Sequence, residues 1–191
     1  MSHIKKKVAK IKAGGWFSGL EGKEKDVVFD HIVSVLQNQG LVANQEDRGR
    51  PWGGFLQFSP GQFKRFWQIF FGKSRTVMPE SQRALAKIII IAPKSRFSWQ
   101  YHLKRDELMR VVRGPLILKI SLGDKEPEKG REMKEGEEMK ITNGMRHRVE
   151  AGEKWGIYAE VWLSQDLQNP SSEEDIVRIR DDYGRKKSLG L

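Results

Sequence analysis

Four side chains set the chemistry this sequence can do: Gln100, His102, Glu107 and His147. Gln100 and His102 stand two apart, so an extended backbone turns both to one face of a sheet. The polar run 103–106 can turn the chain. Glu107 then opens a strand, Leu108-Met109-Arg110-Val111-Val112, that can return beside the first two residues. A neutral imidazole, an amide oxygen and a carboxylate on one face are credible ligands for a divalent ion. Far downstream, Asn143-Gly144-Met145-Arg146-His147-Arg148-Val149-Glu150 begins as a turn and continues as a strand. It brings His147 into play as a fourth ligand.

The elements that must position these residues read as mainly β. Lys87-Ile88-Ile89-Ile90-Ile91-Ala92 is a β-branched, buried strand leading into the central segment. Pro115 to Ile120, Glu137 to Ile141 and Lys154 to Leu163 read as further strands with turns between them. Short strands at regular spacing predict an antiparallel sandwich or barrel. Two helices precede them. Val28, Phe29, Ile32, Val33 and Leu36 recur at helical spacing, with Asp26 or Asp30 as cap and Gly40 as the end. Phe63, Phe66, Trp67, Phe70 and Phe71 mark a second helix after Ser59-Pro60, an aromatic stripe that belongs to a core or a dimer face. His31 on the first helix and His3 in the N-terminal tail read as non-ligands. Residues 1–25 form a basic, poorly ordered arm from which Trp16-Phe17 can dock, and 26–191 a single domain with a helical extension.

The ligand pattern resembles the two half-motifs of a cupin: Gln100-x-His102-x4-Glu107-x6-Gly114, followed by Gly144-x-x-His147. More narrowly, it is similar to the C-terminal domain of type II mannose-6-phosphate isomerases and to small bacterial cupins of the phosphoheptose isomerase type. Arg50-Pro51-Trp52-Gly53-Gly54-Phe55, Ala159-Glu160-Val161-Trp162 and the segment from Glu174 to Arg185 extend the resemblance over most of the chain. It implies a jelly-roll fold, a divalent metal, zinc, on Gln100, His102, Glu107 and His147, and aldose–ketose interconversion of a phosphorylated sugar through an enediol. By position in the matching segments, Glu160 and Asp182 are candidates for moving the proton. Arg50, Arg105, Arg148 and Arg185 are candidates for clamping the phosphate, because a guanidinium matches phosphate geometry with paired donors. Arg105 also aligns with a catalytic-segment arginine of the family. Each arginine reads equally as a surface ion pair, and Trp52 as a packing corner.

The chain departs from the family where it reads His102-Leu103-Lys104 in place of consecutive histidines, and Met109 in place of an aromatic. Those departures keep a second reading open: a non-catalytic cupin that binds a sugar or sugar nucleotide. Leu103 turns away from the Gln100/His102 face in a regular strand.

Composition bounds the rest. The chain has 191 residues, 31 % charged and 38 % hydrophobic, enough for one domain with a real core. It has no cysteine, which excludes disulfides, thiolate nucleophiles and cysteine-held zinc. No run approaches the roughly 18–20 apolar residues of a membrane span, and the N-terminus has no apolar stretch of secretory type. The expectation is a cytoplasmic protein, a homodimer by sheet-edge pairing. The net charge of +10 raises a nucleic-acid reading. Lys5, Lys6, Lys7, Lys10, Lys12, Arg185, Lys186 and Lys187 carry most of that excess at the two ends, so solvated tails explain it.

Overall fold

The computed structural model describes residues 15–80 and 84–185. His3, the five lysines of the N-terminal tail, Lys186 and Lys187 lie outside the described residues. Of the segment set apart as an arm, residues 15–25 are described, and Phe17 and Leu20 are fully buried against the domain. The carbonyl of Phe17 accepts a hydrogen bond from Arg113.

Among the described residues the chain is a mainly β sandwich of two antiparallel sheets with two helices. In chain order these are α1 (Lys25–Asn38), β1 (Gln45–Asp47), β2 (Gly53–Phe58), α2 (Phe63–Phe70), β3 (Ala84–Ile91), β4 (Trp99–Tyr101), β5 (Arg105–Arg113), β6 (Leu116–Ser121), β7 (Arg131–Met133), β8 (Glu138–Ile141), β9 (Arg146–Ala151), β10 (Gly156–Ser164) and β11 (Val177–Arg180). One sheet has the order β1-β2-β3-β10-β5-β8, the other β11-β4-β9-β6-β7. Strands adjacent in sequence repeatedly fall in different sheets, which is the jelly-roll arrangement.

Two corrections to the sequence reading concern element ends. Helix α1 starts at Lys25 with Glu24 at the cap position and no side-chain cap bond. Asp26 lies in the first turn, where its charge meets the helix N-terminus, and Asp30 is within the helix, paired with Arg48. The run 103–106 does not turn throughout: β5 already begins at Arg105, which pairs with Ser164 of β10. Long-range pairing to β10 outweighs the local polarity.

The six-stranded sheet has two buried faces. On one, Leu56, Phe58, Ile88, Ile90, Leu108, Val112, Ile157 and Val161 pack against α1, α2 and Phe17. The aromatic stripe of α2 goes into this core, with Phe66 and Phe70 rings 4.8 Å apart. On the other face, Phe55, Ile89, Ile91, Met109, Val111 and Tyr158 meet Leu116, Leu118, Val149 and Ala151 of the second sheet. The Gly53-Gly54 pair makes the close approach at β1–β3 possible. A Cβ on Gly53, at φ +137°, would stand 2.0 Å from the Ile90 carbonyl oxygen, and one on Gly54 2.1 Å from that of Asp47.

Candidate metal centre

β4, β5 and β9 bring the predicted ligands together between the sheets. Gln100 on β4 lies directly across from His147 on β9. Glu107 is the third residue of β5, and His102 follows β4 at the turn between the two strands. Ligand atoms of His102, Glu107 and His147, all buried, lie within 4.8 Å of one another. His102 Nε2 is 3.1 Å from Glu107 Oε1, and His147 Nε2 is 3.3 Å from Glu107 Oε2. Gln100 is buried beside them, its Oε1 accepting a 2.6 Å bond from Ser98 Oγ.

The histidine tautomers fit this set to a cation. His102 Nδ1 donates to the carbonyl of Asp175, and His147 Nδ1 donates to that of Met145 at 3.1 Å. With Nδ1 carrying the proton, each ring in its neutral form turns the lone pair of Nε2 toward the carboxylate, and a protonated His147 would instead donate from Nε2 to Glu107. Two nitrogen lone pairs and two carboxylate oxygens at this spacing form a donor set suited to a divalent cation, while the Arg105 guanidinium already bonds Glu107 at 2.9 Å and lies 3.1 Å from His102 Nε2. Burial pulls the His102 pKa down, which favours the neutral, ligating form. For His147 burial acts the same way, but the hydrogen bond and charge of Glu107 outweigh it and the pKa rises. Burial works against the Glu107 carboxylate too, yet the Arg105 guanidinium bonded to it holds its pKa well below the usual carboxylate range.

The turn carrying His102 is fixed from the segment 165–176, between β10 and β11. Asp175 is buried, and its carboxylate accepts the backbone N–H groups of Leu103 and Lys104 at 2.9 and 3.0 Å. Its Oδ2 also accepts from Ser171 Oγ at 2.9 Å.

The ligands lie on the wall of a partly open pocket. Gln100 and His147 of the five-stranded sheet form part of its wall, facing Glu107, Glu160, Lys87 and Trp162 on β5, β10 and β3 of the six-stranded sheet. Trp52 and Phe97, rings 4.3 Å apart, close another side. Arg50, Arg178 and Arg185 also line it. Glu160 is buried. Trp162 Nε1 donates to its Oε2 at 2.7 Å, and Tyr158 Oη to its Oε1 at 3.4 Å. Burial, then the nearby charge of Glu107, pushes its pKa up from 4.5 to about 8.

The candidate residues of the sequence thus divide. Gln100, Glu107, His147, Glu160, Arg50, Arg105 and Arg185 line the cavity, and His102 meets Glu107 at its edge. Arg105 is buried, and its donors are taken by the protein. Nε bonds Glu107 at 2.9 Å, one Nη bonds Ser171 Oγ at 2.8 Å and the Ser172 carbonyl at 3.1 Å, and the other lies 3.1 Å from His102 Nε2. Its guanidinium stacks 3.5 Å from the Trp162 ring. It therefore holds Glu107 in place, with little donor capacity left for a phosphate. Arg148 and Asp182 are not at the cavity. Arg148 is next to His147 on a strand, so it points to the opposite face of the sheet. There it pairs with Glu126 at 3.3 Å and Asp182 at 3.8 Å, while Asp182 bonds Arg96 at 2.6 Å.

Sequence reasoning passed over Lys87, Arg178, Tyr158 and Asp175. Lys87 left a signal, a lone cation in an apolar strand; Asp175 left none, because its partners are about 70 residues away.

No protein-family model and no curated protein matches the sequence. Solved structures that resemble the chain include a sugar phosphate isomerase from a cupin superfamily of Silicibacter pomeroyi, at 16 % identity and TM-score 0.38, covering 44 % of this chain and 52 % of that one. The capsular polysaccharide assembling protein CapF of Staphylococcus aureus aligns at 17 % identity and TM-score 0.46, over 74 % of this chain and 34 % of its own. KdgF from a Halomonas species aligns at 10 % identity and TM-score 0.44, over 64 % and 88 %. The chain spans about half the length of the first of these proteins and a third of the second. No helix among the described residues is long and apolar enough to cross a membrane.

Proposed function

We propose that this chain is a cupin that isomerises a phosphorylated sugar, aldose to ketose, with a divalent metal in the centre formed by His102, Glu107 and His147. The observation that carries the reading is the meeting of that centre and Glu160 in one cavity. A divalent ion such as zinc, bound there with Gln100 alongside, supplies Lewis-acid polarisation of a carbonyl or neighbouring hydroxyl.

The residues do the rest. Glu160 takes the proton from the carbon next to the carbonyl and returns it to the other carbon, the transfer an enediol route needs. Its raised pKa of about 8 suits a carboxyl that must both accept and release a proton near neutrality. Trp162 and Tyr158 fix the carboxyl by hydrogen bonds to its two oxygens. Trp52 and Phe97 exclude water from the reacting end. Arg50 and Arg185, on the cavity wall, bind the phosphate. Arg105 keeps the Glu107 carboxylate oriented.

The non-catalytic alternative drew on His102-Leu103-Lys104. Leu103 is 46 % exposed and Lys104 Nζ reaches Asn169 at 3.0 Å, so both side chains leave the cavity untouched.

Elemental analysis of the purified protein, beside a coupled assay from mannose 6-phosphate to fructose 6-phosphate, tests the proposal. The expected result is a full equivalent of metal and turnover that a chelator removes. Metal without turnover on any pentose, hexose or heptose phosphate would leave a binding cupin. No metal after reconstitution would end the metal-centre reading.

A further inference from the structure

Lys87 is a cation in the middle of an otherwise apolar strand, and it is 1 % exposed. Its Nζ lies 3.7 Å from the Trp162 ring centroid and 4.2 Å from that of Phe55. It ion-pairs with Glu173 of the segment that also holds the His102 turn. Across the β3–β10 ladder it faces Glu160, and across β2–β3 it faces Gln57. Like Glu160, it lines the cavity.

An ammonium withdrawn from water costs several kcal/mol before pairing. The two aromatic faces and Glu173 offset part of that. An isoleucine or methionine at this position would pack among Ile89, Ile91 and Phe55 with no such cost. Burial lowers the Lys87 pKa, against the raising effect of Glu173 and Glu160. A desolvated amine of this kind releases and recovers a proton more readily than an exposed lysine.

Aldose–ketose exchange through an enediol moves two protons. One passes between carbons, and Glu160 accounts for it. The other passes between oxygens, and the reading above leaves it without a carrier. We infer that Lys87 is that carrier, an inference resting on the isomerase reading of the same cavity. Its ammonium gives a proton to the carbonyl oxygen while Glu160 takes the adjacent C–H proton. The C–H electron pair becomes the C=C bond, and the enediol forms. The amine then takes the proton of the other hydroxyl as Glu160 delivers its own to the former carbonyl carbon. The new carbonyl forms at the carbon that lost its hydrogen, and both side chains end as they began.

The test compares wild type, Lys87→Met and Lys87→Arg, each zinc-loaded and with metal counted, on a panel of pentose, hexose and heptose phosphates. The expected result is turnover by wild type, a full equivalent of metal in all three, and a loss of about 100-fold or more in kcat for both variants, with KM little moved. Lys87→Arg is decisive. It keeps the charge and can keep the Glu173 pair, but a guanidinium does not release its proton. Wild-type turnover in Lys87→Arg would reduce Lys87 to a positioning charge and overturn the inference, and so would full turnover in Lys87→Met. A silent wild type would overturn the isomerase reading, and this role with it. Should a variant fail to fold, reductive methylation of wild type read by mass spectrometry decides the matter. The turned-over sugar phosphate should protect Lys87, and equal labelling with and without it would overturn the inference.

Discussion

The two faces of the six-stranded sheet are made by the same strands in the same register, yet they differ in kind. Toward the helices, β3, β5 and β10 present Ile88, Ile90, Leu108, Val112, Ile157, Ala159 and Val161, with charge confined to the partly exposed Arg110 and to Arg113, which bonds the Phe17 carbonyl. Toward the second sheet, the alternate positions are Lys87, Arg105, Glu107 and Glu160, set among Met109, Tyr158 and Trp162. The first face gains apolar burial and little else. The second buries four ionisable groups, each with a desolvation cost that only specific partners offset. A strand needs only one apolar face to fold onto the helices. The other face is therefore open to chemistry, provided the first is strong enough to carry it.

That division sets the order of expected effects. His147→Ala removes one of two imidazole ligands from a site already enclosed by apolar packing. It should abolish metal retention and turnover while circular dichroism stays that of the wild type. A full equivalent of metal in this variant would refute the assigned centre.

Glu160→Gln keeps the shape of the side chain and the Trp162 contact but removes the proton acceptor. The kcat should fall by about 10²–10⁴, with metal content unchanged. The same variant tests stability against pH. Glu160 has a folded pKa near 8 against an ordinary 4.5, so between those values the folded chain holds a proton that the unfolded chain has lost. Stability from this group is therefore complete below about pH 4.5 and declines as pH rises toward 8. Thermal unfolding of Glu160→Gln should lose that part of the slope and gain on wild type at alkaline pH. An identical slope would mean that the carboxyl is not held protonated.

Ile88→Ala probes the other face. It opens a cavity beneath the helices and should cost about 2–5 kcal/mol of stability, seen as a lower denaturant midpoint, with metal stoichiometry and KM unchanged. Loss of metal here would mean that the two faces are not separable.

How much of this was legible depends on whether the signal was local. The period of two that paired Gln100 with His102 is a property of any strand, and the alternating strands of the sandwich follow from the same rule. That rule, applied one residue further, also puts Arg148 on the side away from His147; position in a matching segment pulled the other way. Lys87 was visible as a charge among isoleucines, though a strand buried on both faces hides which neighbour will stabilise it. What no local pattern contains is the return of the chain through Ser171 to Asp175, which fixes the His102 tautomer and occupies Arg105. The early start of β5 is likewise a choice made by β10. Arg105 matched a motif by type, but its role changed because its donors found Glu107, Ser171 and Ser172.

The smallest effect concerns the arginines and sharpens where the charged face ends. Arg185 lines the cavity and is held by Asp181 through Nε, at 3.0 Å, and Nη2. Burial disfavours the Asp181 carboxylate, but the bonds from Arg185 hold its pKa below the usual value, so the pair stays charged at neutral pH. Arg148, by contrast, sits behind the second sheet. Arg185→Ala should raise KM for a phosphorylated sugar by about tenfold, or 1.4 kcal/mol, and leave KM for the unphosphorylated analogue unchanged. Arg148→Ala should lower the melting temperature and move neither KM. If Arg148→Ala alone discriminated between the two sugars, the phosphate would have to lie on the outer face, and the cavity would lose its claim to the substrate.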